Sequence, residues 1–370
     1  MTFALTNILL LATLIFLSDV GFCEDSNSYN LYVDDDFNNT TIGWGVDHFD
    51  NLQNAIDAAS EGDTIYVYNG TYYNDVSGYT SEQFTMRAIV VNKSINLIGE
   101  NTDNTFLDGS KYGSVVRITA DWVSISGFTI QNSRNVLDII DMPLDPGIGI
   151  RINSNHTNIS DNIIMGNTNG ISIEGLYNTI ISNTIIDNGD GIILSGSHNT
   201  IKHNTITNHE RDLTVLGSSF NDGIILEGAI ENIITNNVIS NNSGIGIDIS
   251  IYGVSKNNTF YHNNFINNSQ NARDYHNSTW DNGSSGNYWD DYNGLDKNND
   301  GIGDTPYDIP GGDNKDYFPL MIPYDGTIRI KEFYVDDEAL YTMLIIGMIA
   351  AILFCLPIAY VWYRKYYKIK

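Results

Sequence analysis

The chain has 370 residues, 45 acidic and 18 basic side chains, and a net charge of −27 at neutral pH. That surplus repels phosphate backbones and excludes nucleic acid as a partner; two cysteines, Cys23 and Cys355, exclude a disulfide framework. An acidic balance of this size suits a salty exterior, cation binding or solubility.

The apolar run from Ile8 to Leu17, followed by Gly21-Phe22-Cys23, predicts an export signal over residues 1–23. A first region, residues 30–63, reads as an N-terminal cap. In it, Phe49 to Ala59 is predicted to form a short helix, with Leu52, Ile56 and Ala59 on one face and Gly62 as its stop. Thr64 to Tyr68 then alternates as a strand and Asn69-Gly70 turns it.

From residue 64 to 270 the chain repeats. Asn162-Ile163-Ile164 recurs after 21 residues as Asn183-Thr184-Ile185 and after 21 more as Asn204-Thr205-Ile206. Wider copies follow at Asn237 and Asn263, each with an apolar residue three positions earlier: Ile159, Ile180, Ile201, Ile234, Phe260. A second Asn follows at Asn167 and Asn188, with Asn208, Asn242 and Asn268 near the matching place. Then comes a Gly-Ile strand, as in Gly170-Ile171-Ser172-Ile173. A period near 21 built from short alternating strands is a solenoid signature. No copy is long enough for a helix, and the frame of a leucine-rich repeat is absent. The fold class expected is all-β: a right-handed parallel β-helix with an N-terminal capping helix, isoleucine columns inside and Asn ladders at the corners.

Residues 271–323 are rich in Asp and Asn and read as a C-terminal cap, joined by a linker at 324–338 to an uncharged apolar stretch, Ala339 to Tyr363. That stretch is long enough to span a bilayer. Asp336, Asp337 and Glu338 precede it; Arg364, Lys365, Lys368 and Lys370 follow, so the 364–370 tail is expected in the cytoplasm and the bulk of the chain outside.

The segments Gly62-Asp63-Thr64-Ile65-Tyr66-Val67, Asn69-Gly70-Thr71-Tyr72 and Ile95-Asn96-Leu97-Ile98-Gly99-Glu100 precede the Asn-rich coils. Gly286-Asn287-Tyr288-Trp289-Asp290-Asp291-Tyr292 and Asp316-Tyr317-Phe318-Pro319-Leu320-Met321 follow them. From Tyr32 to Pro323 this order resembles the NosD-like group of pectate-lyase-type β-helix proteins, most of all membrane-anchored surface forms of archaea. The resemblance implies the fold; the copper handling implied by the group's name has neither a Met-rich or Cys tract nor His ligand spacing here.

Three kinds of site are expected. Asp296-Lys297-Asn298-Asn299-Asp300-Gly301 matches the first half of a calcium loop, with Asp304 at the ninth position and Tyr307 in place of the final Glu. A Ca²⁺ site with Asp296, Asn298, Asp300, Asp304 and the Ile302 carbonyl is therefore expected; the alternative is an acidic surface turn. Sequons in predicted loops, chiefly Asn39, Asn277 and Asn282, are candidate glycan acceptors. Finally, Ser133 to Pro146 and His209 to Asn221 are insertions that leave the repeat at the same point, two walls around a floor of short coils. The floor is expected to carry Asn169, Asp190 and Asp222 in one column, with Glu174 and Glu227 across the strand. Asp190 and Asp222 are the candidate catalytic pair of a glycoside hydrolase or polysaccharide lyase. Against this, Asp before Gly is a favoured turn residue, and neither column holds Arg or Lys to stabilise an anion. The function expected is a cell-surface module binding envelope glycan or polysaccharide or serving as a scaffold. The enzyme is the alternative, and NosD-like metal delivery a further one.

Overall fold

The computed structural model describes residues 28–73, 88–134, 147–210 and 220–325. The chain divides after Thr327, and only the first unit is described. The expected signal segment, the 339–363 stretch and the basic tail lie outside the described residues. Among the described residues no helix is long and apolar enough to cross a membrane.

Each coil lays down three short strands. In one coil these are Thr179–Ile181, Thr184–Ile186 and Asp190–Leu194. Equivalent strands of successive coils pair in parallel, building three sheets of ten, nine and eight strands, here sheets 1, 2 and 3. The result is the right-handed parallel β-helix that the period implies. The register stacks Ile159, Ile180, Ile201, Ile234 and Phe260 in one column. All five have no exposed surface. Each such isoleucine, taken out of water, contributes roughly 1.5–3 kcal/mol.

Strands end after three residues because every corner is fixed. At the first corner Asp161, Ser182 and His203 adopt φ of 56–57°, and the Asn that follows each turns inward. The Asn162 N–H donates to Asn183 Oδ1 at 3.0 Å, Asn183 to Asn204 and Asn204 to Asn237 at 2.9 Å, and the ladder continues through Asn263 to Asn287. The Nδ2 groups also donate to backbone carbonyls; for Asn183 these are Ile159 and Ile181, at 2.8 and 3.0 Å. The buried backbone is thereby satisfied where no sheet continues. The ladder ends on Asp316, whose Oδ2 accepts the Asn287 N–H at 2.7 Å. An acceptor-only group fits a terminus that has no further acceptor to feed.

The structure corrects two details of the ladders. The fourth rung of the second ladder is His209, not Asn208: its Nδ1 accepts the Asn188 N–H at 3.2 Å, while Asn208 takes the left-handed position before it. A third ladder, Asn178, Asn199, Asn232 and Asn258, holds the last corner.

The N-terminal end differs from the expected cap. The helix is shorter, Leu52–Ala58, with Asn51 capping the Asn54 N–H; Phe49 belongs to a strand, His48–Phe49, paired with Asn30–Val33 in sheet 1. The solenoid thus starts before residue 64. Gln53 projects from the helix onto the edge strand Ile89–Val91 and makes both backbone bonds of Val90, at 2.8 and 3.2 Å. One side-chain amide so replaces the missing neighbour of an open sheet edge. At the far end Trp280 and Trp289 stack on Phe260 and Phe265, both at 4.3 Å, and close the core.

Candidate functional site

Both insertions do leave from one corner. Ser133 donates its N–H to Asn167 Oδ1 at 2.9 Å, so it occupies the second ladder, as His209 does. Residues 135–146 and 211–219 of the insertions lie outside the described residues.

Asn169 and Asp190 are register partners in sheet 3, and Asp222 follows them in line. The column exists, but it is not an open floor: Asp190 and Asp222 are each 2% exposed. Asp190 Oδ1 accepts the N–H groups of Phe220 and Asp222, at 2.9 and 3.1 Å, and its Oδ2 accepts the Asn169 amide at 3.1 Å. Asp222 Oδ1 accepts the Ile245 N–H at 2.5 Å, and its Oδ2 has no partner among the described residues. The physical reason is the return from the insertion. The backbone re-enters sheet 3 there, and the carboxylates accept amides that no strand takes. Burial pushes the Asp190 carboxyl up to about 6 and that of Asp222 to about 7, against the N–H bonds that lower both.

Glu174 and Glu227, by contrast, are exposed. Glu174 pairs with Arg151 at 2.8 Å and accepts from Asn153 at 2.7 Å. The sequence also hid a cation beside the acid column. Arg273 grips Asp248 with two bonds, at 2.9 and 2.8 Å, and its charge acts on Asp222. Its signal is positional: Ile225, Asp248 and Arg273 share one register column, two residues after the Gly or Asn that opens each strand.

The third corner holds a second feature missed in the sequence. Trp122, His156, Tyr177 and His198 occupy its left-handed positions, with φ of 56–61°. Their rings stack face to face at 4.0, 5.3 and 4.9 Å. Trp122 is 66% and Tyr177 51% exposed. The first two corners fill that position mainly with Asp, Asn, Ser, Gly and His, which tolerate positive φ better. The signal is again register: each ring immediately precedes a third-ladder position or its equivalent, Val123, Thr157, Asn178 or Asn199.

In the expected calcium loop, Asp296 accepts the N–H groups of Asp300 and Gly301 at 3.2 and 2.9 Å. Asn298 accepts from Asp300 at 3.2 Å, Asp300 from Ile302 at 2.9 Å and Asp304 from Lys297 at 3.0 Å. Gly301 supplies a φ of 86° at the bend. Ile302 bridges to Leu320. Asn39, Asn277 and Asn282 are all exposed.

The donor set does not fit copper. All seven histidines are described, yet the stack separates His156 from His198 by Tyr177, and His209 is buried. Among the described residues, only Asp34, Asp35 and Asp36 gather three ionisable ligand groups. Three carboxylates are hard oxygen donors, which suit magnesium, calcium or manganese better than copper.

The profile of a family described as periplasmic copper-binding protein (NosD) matches residues 56–294. The chain belongs to the NosD family. Within NosD the matched span runs from the capping helix to the last solenoid strand, and the periplasmic description agrees with an exported bulk. Among solved structures the fold is similar to pectate lyase Pel9A, at 16% identity over 71% of this chain and 74% of that one, with a TM-score of 0.47. It is also similar to an alginate lyase from Paenibacillus sp. str. FPU-7, at 16% identity over 64% and 94%, with a TM-score of 0.42. Pectin methylesterase PemA from Erwinia chrysanthemi matches at 15% identity over 69% and 82%, with a TM-score of 0.42. No curated protein matches the sequence.

Proposed function

We propose that this NosD protein is an exported β-helix that binds a hydroxyl-rich glycan of the cell envelope, without cleaving it, and is held at the surface by the 339–363 segment. The observation that carries this is the Trp122–His156–Tyr177–His198 column. Trp122 and Tyr177, 66% and 51% exposed, stand at left-handed positions where bulky rings are uncommon, and exposed aromatic surface on a rigid scaffold supports a binding role. Beside it the outward residues of sheet 1, among them Asn96, Ser124, Asn158, Thr179 and Thr200, repeat uncharged hydrogen-bonding groups coil after coil. The hydrolase or lyase alternative needs Asp190 and Asp222 to reach substrate, and both are buried, with Asp190 and one oxygen of Asp222 accepting the protein's own N–H groups. Metal delivery finds no cluster of copper ligands among the described residues to support it.

The test applies the full-length chain to an array of neutral and acidic glycans, with calcium and with chelator. Retained glycans should elute intact; new reducing ends or unsaturated uronides would favour the enzyme instead. The calcium loop and the three sequons belong to the same proposal, as surface features of an exported domain. Protease added to intact cells should remove that domain and leave a small anchored stub. An epitope after Lys370 that is reachable from outside would contradict the orientation.

A further inference from the structure

A recess of about 420 Å³ opens at the N-terminal end of sheet 1, lined by Asn30, Tyr32, Tyr66, Tyr68, Ile98 and Glu100, with Gly99 in its floor. Its volume lies within the range of small-molecule sites. The strands explain its shape. Tyr32 and Tyr66 are register partners in adjacent rungs, with ring centroids 5.9 Å apart and planes 20° from parallel. Tyr68 lies 6.4 Å from Tyr32 at 17°, and His48 extends the row on the other side at 5.1 Å. In the next coil the partner of Tyr66 is Ile98, beside Gly99. Gly99 itself pairs with buried Val67, and a Cβ there would press on the Gly127 carbonyl at 2.5 Å, so the coils lie close together at this edge of the recess. With Ile98 in place of a further tyrosine, the aromatic row stops at Tyr66 and steps down into the recess.

We propose that this recess is the anchoring subsite for a neutral saccharide, one sugar face lying on the step formed by Tyr66. The inference rests on the glycan-binding function proposed above and names where the chain is gripped. Three observations select the ligand. The rings are stacked and nearly parallel, so the row ends in one ring face, that of Tyr66, which suits a sugar ring; a quaternary ammonium is held by several aromatic walls that meet around it. No hydrogen bond engages the hydroxyls of Tyr32, Tyr66 or Tyr68 among the described residues, so they are available to sugar hydroxyls, as is the second oxygen of Glu100, whose Oε2 accepts the Asn69 N–H at 2.9 Å. Lastly, Asp34, Asp35 and Glu100 crowd the same end of the solenoid, where all three raise the pKa of the Tyr72 hydroxyl. An acidic polysaccharide would meet that charge unscreened at short range.

The experiment titrates the full-length chain by calorimetry with cellohexaose, mannohexaose and xylohexaose, with hexagalacturonate as the acidic counterpart and choline chloride as the cationic one. Tyr66→Ala and Tyr66→Phe are compared with the wild type. At least one neutral hexasaccharide should bind. Tyr66→Ala should weaken it about tenfold or more, and Tyr66→Phe, which keeps the ring, by no more than about threefold. Hexagalacturonate and choline should not compete. Neutral binding untouched by Tyr66→Ala would overturn this subsite and leave glycan binding elsewhere intact. Absence of binding to every glycan would remove both the subsite and the proposed function. Saturation by choline, or tighter binding of hexagalacturonate, would overturn the ligand class.

Discussion

Two polar columns run along the same solenoid, and their chemistry separates them. In the column from Asn162 to Asn287 every side chain is an amide, which accepts from one coil and donates to another. It stays neutral, and none of its atoms is left unpaired. In the column Asn169–Asp190–Asp222 two members are carboxylates, which only accept when ionised. One buried oxygen of Asp222 finds no donor among the described residues. The amide column therefore stabilises the coils whatever the pH. The acid column closes the stem of an insertion, but only comfortably when protonated. A raised carboxyl pKa is also what a catalytic acid shows. Access decides between the two, and here both carboxyls are buried.

The largest effect is expected from breaking the neutral column. Asn204→Ala removes the acceptor for Asn183 and the donor to Ile180, Lys202 and Asn237. Several buried groups lose partners at once, so denaturant unfolding should show a loss of about 2–4 kcal/mol. A loss near zero would mean that water replaces the amide and that the ladder is dispensable.

A smaller change is expected where the second ladder departs from asparagine. Burial lowers the His209 imidazole to about 3, and its Nε2 has no partner. Its folded pKa lies below the unfolded one, so the unfolded chain binds more protons between about 3 and 6.5. Stability is lost as pH falls through that window. His209→Asn should therefore stabilise the protein by about 1 kcal/mol at pH 5 and by less at pH 8. An equal effect at both values would show that the ring is not buried in neutral form.

The smallest effect expected is from calcium. Adding chelator should lower the thermal midpoint by a few degrees if the loop from Asp296 to Asp304 binds the ion. Asp300→Ala should abolish the difference. Equal midpoints with and without chelator would leave those side chains as caps of a surface turn.

The sequence disclosed those parts of the molecule that repeat. Ile180, Ile201 and Ile234 were legible as an interior column because one spacing places all of them on the same side. Two of the three Asn ladders were legible for the same reason. The third was obscured because its first members are Val123 and Thr157, so the column shows no asparagine until Asn178. Without that ladder as a frame, the 21-residue spacing of His156, Tyr177 and His198 carries no visible motif. The burial of Asp190 and Asp222 was hidden for a different reason. Asp before Gly reads alike whether its carboxylate faces water or a backbone amide. The deciding amides, of Phe220 and Ile245, are set by how the chain returns from an insertion with no repeat. Arg273 was overlooked because the same register that gives Ile225 and Asp248 had to be followed one coil further.

The central claim is that Asp190 and Asp222 are buried carboxyls held by the fold where the chain returns from its second insertion. Their folded pKa values, about 6 and about 7, lie above the ordinary carboxylate value of 3.8. The folded chain then binds more protons than the unfolded one between about 4 and 7, and stability falls as pH rises through that window. The direct measurement is urea unfolding of the wild type and of Asp190→Asn with Asp222→Asn, from pH 6 to pH 8. The wild type should lose about 1–2 kcal/mol over that range, and the double variant should stay nearly level and be the more stable of the two at pH 8. A double variant that keeps the wild-type slope, or is less stable at pH 8, would contradict the claim and return both carboxylates to solvent and to the list of candidate catalysts.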